Sequence, residues 1–161
     1  MIRKIWDHLE EGFLVPSLIF SSILLFVQVV MRYVFQNSLS WSEELARFLY
    51  IWEVWLGISY AAKNSSHFRV TLIFSVVKGK AEFILNMAVH IVWMAFGIYF
   101  TYIGVNTVLG IAKYGQLSSA MRIPMWIPYM GIPLGAGLMS VRLLENMIHM
   151  IKEARQKGEE V

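Results

Sequence analysis

Four ionisable side chains fall within one otherwise apolar stretch, SWSEELARFLYIWEVWLGISY at residues 40–60: Glu43, Glu44, Arg47 and Glu53. Glu43 and Arg47 are four residues apart and Glu44 and Arg47 three, so on a helix either carboxylate can pair with the guanidinium. Glu53 lies deeper, about thirteen residues along the helix, between Trp52 and Trp55. An acid at that depth of a membrane span must be protonated, paired or shielded by protein, and it is a candidate proton or ion site. A second candidate for chemistry is His90, the only histidine in the middle of an apolar run; His8, His67 and His149 lie at ends or loops, with no second histidine expected at a matching depth. There is no cysteine, which excludes disulfides, iron–sulfur clusters and thiolate metal sites. The sequence has no nucleophile–base pair, metal-ligand cluster or glycine-rich phosphate loop, so it reads as a non-enzyme with no cofactor.

These residues must be positioned by membrane helices. Apolar residues make up 57% of the 161-residue chain and charged residues 16%, against about 25% charged in ordinary globular domains. The net charge of +3 sits in loops and ends, which argues for membrane orientation and against nucleic-acid binding. The fold class expected is all-α: one membrane domain over residues 1–161 with four transmembrane helices, at about 12–35, 41–62, 82–109 and 126–149, plus a short interfacial helix at about 68–78. The first apolar run is longer than a signal-peptide core and no small-residue cleavage site follows it, so it reads as a retained span. Pro16 is expected in its first turns, and Ser17, Ser21, Gln28 and Arg32 share one face of it, where they can bond a neighbouring helix or line a solute path.

Ser40-Trp41-Ser42-Glu43 fits a capping box at the start of the second helix, with Trp41 as an interfacial anchor. In the third span Asn86, His90, Gly97, Thr101 and Gly104 share a face suited to close helix packing. The fourth opens with Pro124, Pro128 and Pro133; Pro133 is expected to kink it from inside, and Gly131-x-x-x-Gly135 is a small-xxx-small pattern. Arg142, Glu145 and His149 share a face near its end, and residues 152–161 read as a frayed charged tail. Arg3, Lys4, Lys63, Arg69, Lys78, Lys80, Lys152, Arg155 and Lys157 outnumber Arg32, Arg47, Lys113 and Arg122 on the opposite side. That excess places both termini in the cytoplasm and the Glu43–Glu44–Arg47 cluster on the outer side.

Four helices without internal repeats are poor material for a complete alternating-access carrier, so the chain reads as a membrane subunit of something larger. Arg32-Tyr33-Val34-Phe35, the run Trp41-Ser42-Glu43-Glu44-Leu45-Ala46-Arg47, Trp52, Leu56-Gly57 and His67 resemble the signature of the small, DctQ-type membrane subunit of tripartite ATP-independent periplasmic (TRAP) transporters. The later Ile123-Pro124-Met125-Trp126-Ile127-Pro128-Tyr129 and Ile132-Pro133-Leu134-Gly135 are similar to that family's fourth-span entry. Thr71 departs from the pattern, since many members carry an aspartate there, and Glu53 lies outside it. The resemblance implies a bacterial or archaeal cytoplasmic (inner) membrane location and two protein partners. One is a large multi-span permease subunit that binds sodium and substrate; the other is an extracytoplasmic substrate-binding protein delivering an organic acid such as a dicarboxylate, sialic acid or another sugar acid. It implies that the small subunit braces the large one and contributes to docking the binding protein. The interface residues it suggests are Arg32, Trp41, Glu43, Glu44, Arg47, Trp52, Gly57, His67, Pro124, Pro128 and Pro133. From the residues themselves, the tryptophans Trp52 and Trp55 suggest that the helices form no closed bundle but offer a broad apolar face to the large subunit. Two other readings are a small haem or quinone anchor with His90 as ligand, and an independent proton or ion carrier using Glu53.

Overall fold

Each apolar run folds as a helix, because backbone N–H and C=O groups must be satisfied within the segment wherever lipid surrounds them. The computed structural model describes residues 2–63 and 80–159, with side chains over 12–62 and 81–156. The elements are α1 (Ile2–Tyr33), α2 (Ser40–Lys63), α3 (Lys80–Tyr114), a single turn α4 (Trp126–Tyr129) and α5 (Gly131–Glu159). The expected interfacial helix at 68–78, with His67, Arg69 and Thr71, lies outside the described residues.

Several boundaries differ from the sequence expectation. α1 begins at Ile2, so Pro16 stands in the helix interior and not in its first turns. Its missing N–H leaves the Gly12 carbonyl without a helical donor. Pro133 is the third residue of α5 and lies within the span Trp126–Gln156; the α-helix is interrupted three residues before it, at Met130, and the proline's missing N–H leaves the Tyr129 carbonyl without a helical donor. The tail is not frayed where it is described, since α5 continues to Glu159. Among the described residues, three segments are long and apolar enough to cross a membrane: Gly12–Tyr33, Ala81–Tyr114 and Trp126–Gln156. At 24 residues, or about 36 Å at 1.5 Å per residue, α2 is long enough. Glutamates, arginine and aromatic residues set it apart in polarity.

The helices lie in a row, α1–α2–α5–α3, defined by the pairs that pack extensively: α1 on α2, α2 on α5 and α3 on α5. α1 and α2 are antiparallel, since Ser21 bonds Glu53 while Gln28 and Arg32 bond Glu43. α5 runs parallel to α2: Gly131 meets Trp52, Gly135 meets Trp55, and the Asn146 amide donates to the Ala62 carbonyl at 2.8 Å. α3 is antiparallel to α5, with Gly97 against Ala136, Met139 and Ser140, and Gly104 against Pro133. The fully buried Ala62, Met139 and Leu143 form the core between α2 and α5, flanked by Ile58, Val89 and Met94.

Glycines set these distances. In lipid, helices gain little by hiding apolar surface from each other, so close backbone approach carries the packing. A Cβ on Gly135 would lie 2.5 Å from the Trp55 carbonyl oxygen, and one on Gly104 2.9 Å from the Pro133 ring. The Gly131-x-x-x-Gly135 pattern therefore serves the α2 contact, with Trp52 and Trp55 laid over it. Trp55 continues onto α3 by a ring contact with Phe100 at 5.6 Å, and Phe100 stacks on Phe96 at 4.4 Å. Both tryptophans are thus occupied within this chain, which removes the reason for expecting them on a partner-facing surface. Gly57 has no atom within 4 Å of an added Cβ and takes no part in this packing.

Gly135→Leu is expected to destabilise the detergent-solubilised protein by about 1–3 kcal/mol, the usual cost of overpacking, whereas Gly57→Ala leaves its thermal midpoint nearly unchanged. Equal midpoints for the two variants would contradict the packing described.

Candidate functional site at one end of the helix row

Residues 34–39 turn the chain from α1 into α2, helped by Gln36 in the left-handed region at φ 53°. Ser42 ties the turn down: its buried hydroxyl donates to the Leu39 carbonyl at 2.8 Å. Residues 115–125 connect α3 to α4 as a short folded loop. Leu117 and Pro124 form an antiparallel bridge, Ser118 N–H donates to Ile123 O at 2.8 Å, and Met125 N–H donates to Gln116 O at 2.9 Å. Gly115 and Arg122 take positive φ at its corners. The two connections meet at the same end of the molecule through Glu44.

The Glu44 carboxylate accepts three backbone N–H groups from the loop tip: Ser119 at 3.1 Å, Ala120 at 3.0 Å and Met121 at 2.8 Å. Burial tends to raise this carboxyl. The amides of Met121, Ala120 and Ser119 and the Ser118 hydroxyl outweigh that and hold it below the usual glutamate value, because they bond the charged form. Glu44 stands at the polar end of α2, ahead of the apolar run that starts at Phe48. Either glutamate was free to pair with Arg47 by spacing; in the fold Glu43 does, and Glu44 turns to the loop.

Glu43 joins α1 to α2. Its Oε2 accepts from Gln28 Nε2 at 3.2 Å and from Arg32 at 3.4 Å, and its Oε1 lies 3.5 Å from the Arg47 guanidinium. It does not reach back to the helix start, so the capping box expected from Ser40-Trp41-Ser42-Glu43 is not formed. These ion pairs are half-exposed, and such pairs contribute about 0.2–1 kcal/mol each. Ser40, Glu43, Glu44, Arg47, Ser119 and Ala120 line a shallow depression of about 310 Å³. Trp41 and Arg47 are exposed beside it.

Glu53 is buried and accepts the Ser21 hydroxyl at 2.7 Å, a bond between α1 and α2. The polar face expected on α1 is therefore directed at α2. Ser17, on the same face, turns back to its own Leu14 carbonyl at 3.1 Å. His90 is buried, with Nδ1 2.8 Å from the Asn86 carbonyl one turn earlier. His149, near the end of α5, is exposed. Among the described residues, no three His, Asp or Glu side chains are grouped to hold a metal ion.

The remaining candidates disperse. Arg32 joins the cluster through Glu43, while Trp52 packs on Gly131. Gly57 faces open space, and His67 lies outside the described residues. Pro124 closes the loop bridge, Pro128 is fully buried in α4, and Pro133 packs against Gly104. Sequence reasoning missed the partner of Glu44, residues 118–121. The signal was slight: a Ser-Ala-Met run, 119–121, whose free amides only the fold brings to α2.

Glu44→Gln is expected to release the loop, raising hydrogen exchange at the Ser119, Ala120 and Met121 amides, while Arg47→Ala leaves them protected. A carboxyl held below its ordinary value keeps this bond complete at neutral pH and loses it as pH falls through the lowered value. Protection should therefore persist down to the ordinary glutamate range and vanish below it. Protection unchanged in Glu44→Gln, or independent of acid, would refute the clamp.

The chain matches the family described as tripartite ATP-independent periplasmic transporters, DctQ component, over residues 21–153. It is 28% identical over 151 residues to the isethionate TRAP transporter permease protein DctMQ of Oleidesulfovibrio alaskensis, covering 90% of this chain and 24% of that protein. To the sialic acid TRAP transporter small permease protein SiaQ of Vibrio cholerae it is 28% identical over 158 residues, covering 94% of this chain and 87% of that one. To the C4-dicarboxylate TRAP transporter small permease protein DctQ of Rhodobacter capsulatus it is 28% identical over 109 residues, or 67% and 48%. The chain thus spans about a quarter of the first relative, most of the second and about half of the third. The matched region runs from Ser21 to Glu153 and holds the Glu43, Glu44 and Glu53 contacts with the loop that Glu44 clamps: the chain belongs to the DctQ-component family of TRAP transporters.

Proposed function

We propose that this chain is the small membrane subunit of a sodium-coupled TRAP transporter for an organic acid. It braces the large permease subunit in a bacterial or archaeal inner membrane and helps dock an extracytoplasmic substrate-binding protein. The family match over residues 21–153 carries this reading. The row of helices supports a bracing role: α1 packs on α2, and α3 packs on α5, on the α4 turn and through Phe100 on Trp55, so each keeps a long apolar edge open to other protein or lipid. Sodium and substrate bind the large subunit, and this chain supplies no catalytic group or cofactor. The relatives are named for isethionate, sialic acid and C4-dicarboxylate, so one small-subunit plan serves different acids.

In this reading α2 also crosses the bilayer, making four spans. It is sheathed between α1 and α5, and its deep acid is bonded to Ser21, so its polarity is met inside the protein. The clamp between Glu44 and residues 119–121 supports an even number of crossings between the α1–α2 turn and the α3–α4 loop, with both on one side. The lysine and arginine excess puts that side outward and both termini in the cytoplasm. The exposed Arg47, Trp41 and shallow depression then face the compartment of the binding protein.

The absence of cysteine makes topology direct to test: Ser119→Cys should react with an impermeant thiol reagent from outside intact cells, and Arg155→Cys only after lysis. The reverse pattern would overturn the orientation. Co-expression with the large permease should give a complex that transports only when the binding protein is added, with no flux through the small chain alone in liposomes. Glu53→Gln, which keeps an acceptor for Ser21, should retain transport within about twofold. Flux through the chain alone, abolished by Glu53→Gln, would instead favour the proton-carrier reading.

A further inference from the structure

The two open edges of the row are chemically unlike. On α1 the exposed side chains between Phe13 and Val29 are apolar but for one, among them Phe13, Ile19, Ile23, Phe26 and Val29. The hydroxyl among them, Ser22, donates to its own Leu18 carbonyl at 2.7 Å. Of its other described polar side chains, Ser17 turns to its own backbone and Ser21, Gln28 and Arg32 to α2, while the exposed Tyr33 stands at the last turn, at interface depth. This edge asks nothing of its surroundings except that they be apolar.

On α3, Gly97, Thr101 and Gly104 face α5. The opposite face carries Ala95, Tyr99, Tyr102, Asn106 and Gly110, spaced four, three, four and four residues apart and within roughly 80° of one another. Tyr99 and Tyr102 are 58% and 69% exposed, and Asn106 is exposed. The Tyr99 ring packs on Phe100 of its own helix. Among the described residues, the two phenol hydroxyls and the Asn106 amide make no hydrogen bond. Counting inward from Lys113 at 1.5 Å per residue, Asn106 lies about 10 Å deep, Tyr102 about 16 Å and Tyr99 about 21 Å, all within a hydrocarbon core of about 30 Å. From there a tyrosine does not reach the headgroups. Tyrosine belongs at the interfaces of a lipid-facing helix, and polar side chains at this depth bond other helices.

We infer that this edge of α3 is the strip on which the large permease subunit seats, while the free edge of α1 faces lipid. The inference rests on the transporter-subunit reading. Ala95 and Gly110 let a neighbouring helix approach closely, and nothing lies within 4 Å of a Cβ added to Gly110. The occupant must offer acceptors to the two hydroxyls and a donor and acceptor to Asn106: polar side chains, or the freed carbonyls of a broken helix. A large membrane neighbour fits better than a second copy, because a permease of which this chain matches only 24% carries the equivalent segment within a longer polypeptide.

Single-cysteine variants test the assignment in the otherwise cysteine-free chain. Tyr102→Cys, Asn106→Cys and Gly110→Cys on α3, and Ile19→Cys and Phe26→Cys on α1, are co-expressed with the large permease and loaded in membranes with a maleimide-benzophenone. On illumination, adducts with the permease should form at the α3 positions at least tenfold more than at the α1 positions. The triple variant Tyr99→Phe, Tyr102→Phe, Asn106→Leu should co-purify with the permease at about a tenth of the normal yield while keeping its helical circular dichroism. Permease adducts from α1 but not α3, adducts joining two copies of this chain, or lipid adducts alone at α3 would each overturn the assignment. Failure of the unsubstituted chain to co-purify with the permease would instead overturn the subunit reading, and this assignment with it.

Discussion

A carboxylate inside an apolar helix has to find its hydrogen-bond donor in the protein, because lipid offers none. α2 poses this problem at Glu53, and its three acids are met by two neighbours, α1 and the α3–α4 loop. Glu53 takes the Ser21 hydroxyl of α1, Glu43 takes Gln28 and Arg32 of α1, and Glu44 takes the backbone of residues 119–121. The helix with the most polar interior is therefore flanked on both sides, by α1 and by α5. α1 and the α3–α4 loop are anchored by the groups that α2 must satisfy.

The other side of α2 is held by shape. Gly131 and Gly135 open a groove in α5 that Trp52 and Trp55 occupy, and Trp55 passes the contact on to Phe100 of α3. Gly97 and Gly104 do the same between α3 and α5. Polar bonds on one flank and close backbone contact on the other produce a row. In a row the end helices keep most of their surface open, which suits a subunit that works against a larger neighbour.

Much of this was legible in the residues. The helix existence, the inward polar face of Ser21, Gln28 and Arg32, and the packing face of Gly97, Thr101 and Gly104 follow from a period of 3.6 residues, which holds wherever a helix forms. The W-S-E-E-L-A-R run and the proline-rich entry to the last span carried the family resemblance, and the match over residues 21–153 agrees with it. Local pattern misled where a competing partner existed. Glu43 had the spacing of a capping box, but Arg32, Gln28 and Arg47 offered charged or better-placed donors.

By itself the sequence determined that this is a helical membrane chain, which faces of its helices are polar, and which family it resembles. Those properties depend on composition, periodicity and short motifs. Only the tertiary structure decided that Glu44 clamps a loop more than seventy residues away, that the tryptophans are spent on α5, and that the helices stand in a row. Spacing says which side chains share a face, but not which neighbour that face meets. That choice is made by long-range packing, where a glycine groove, a free amide or a hydroxyl on another helix competes for the same group.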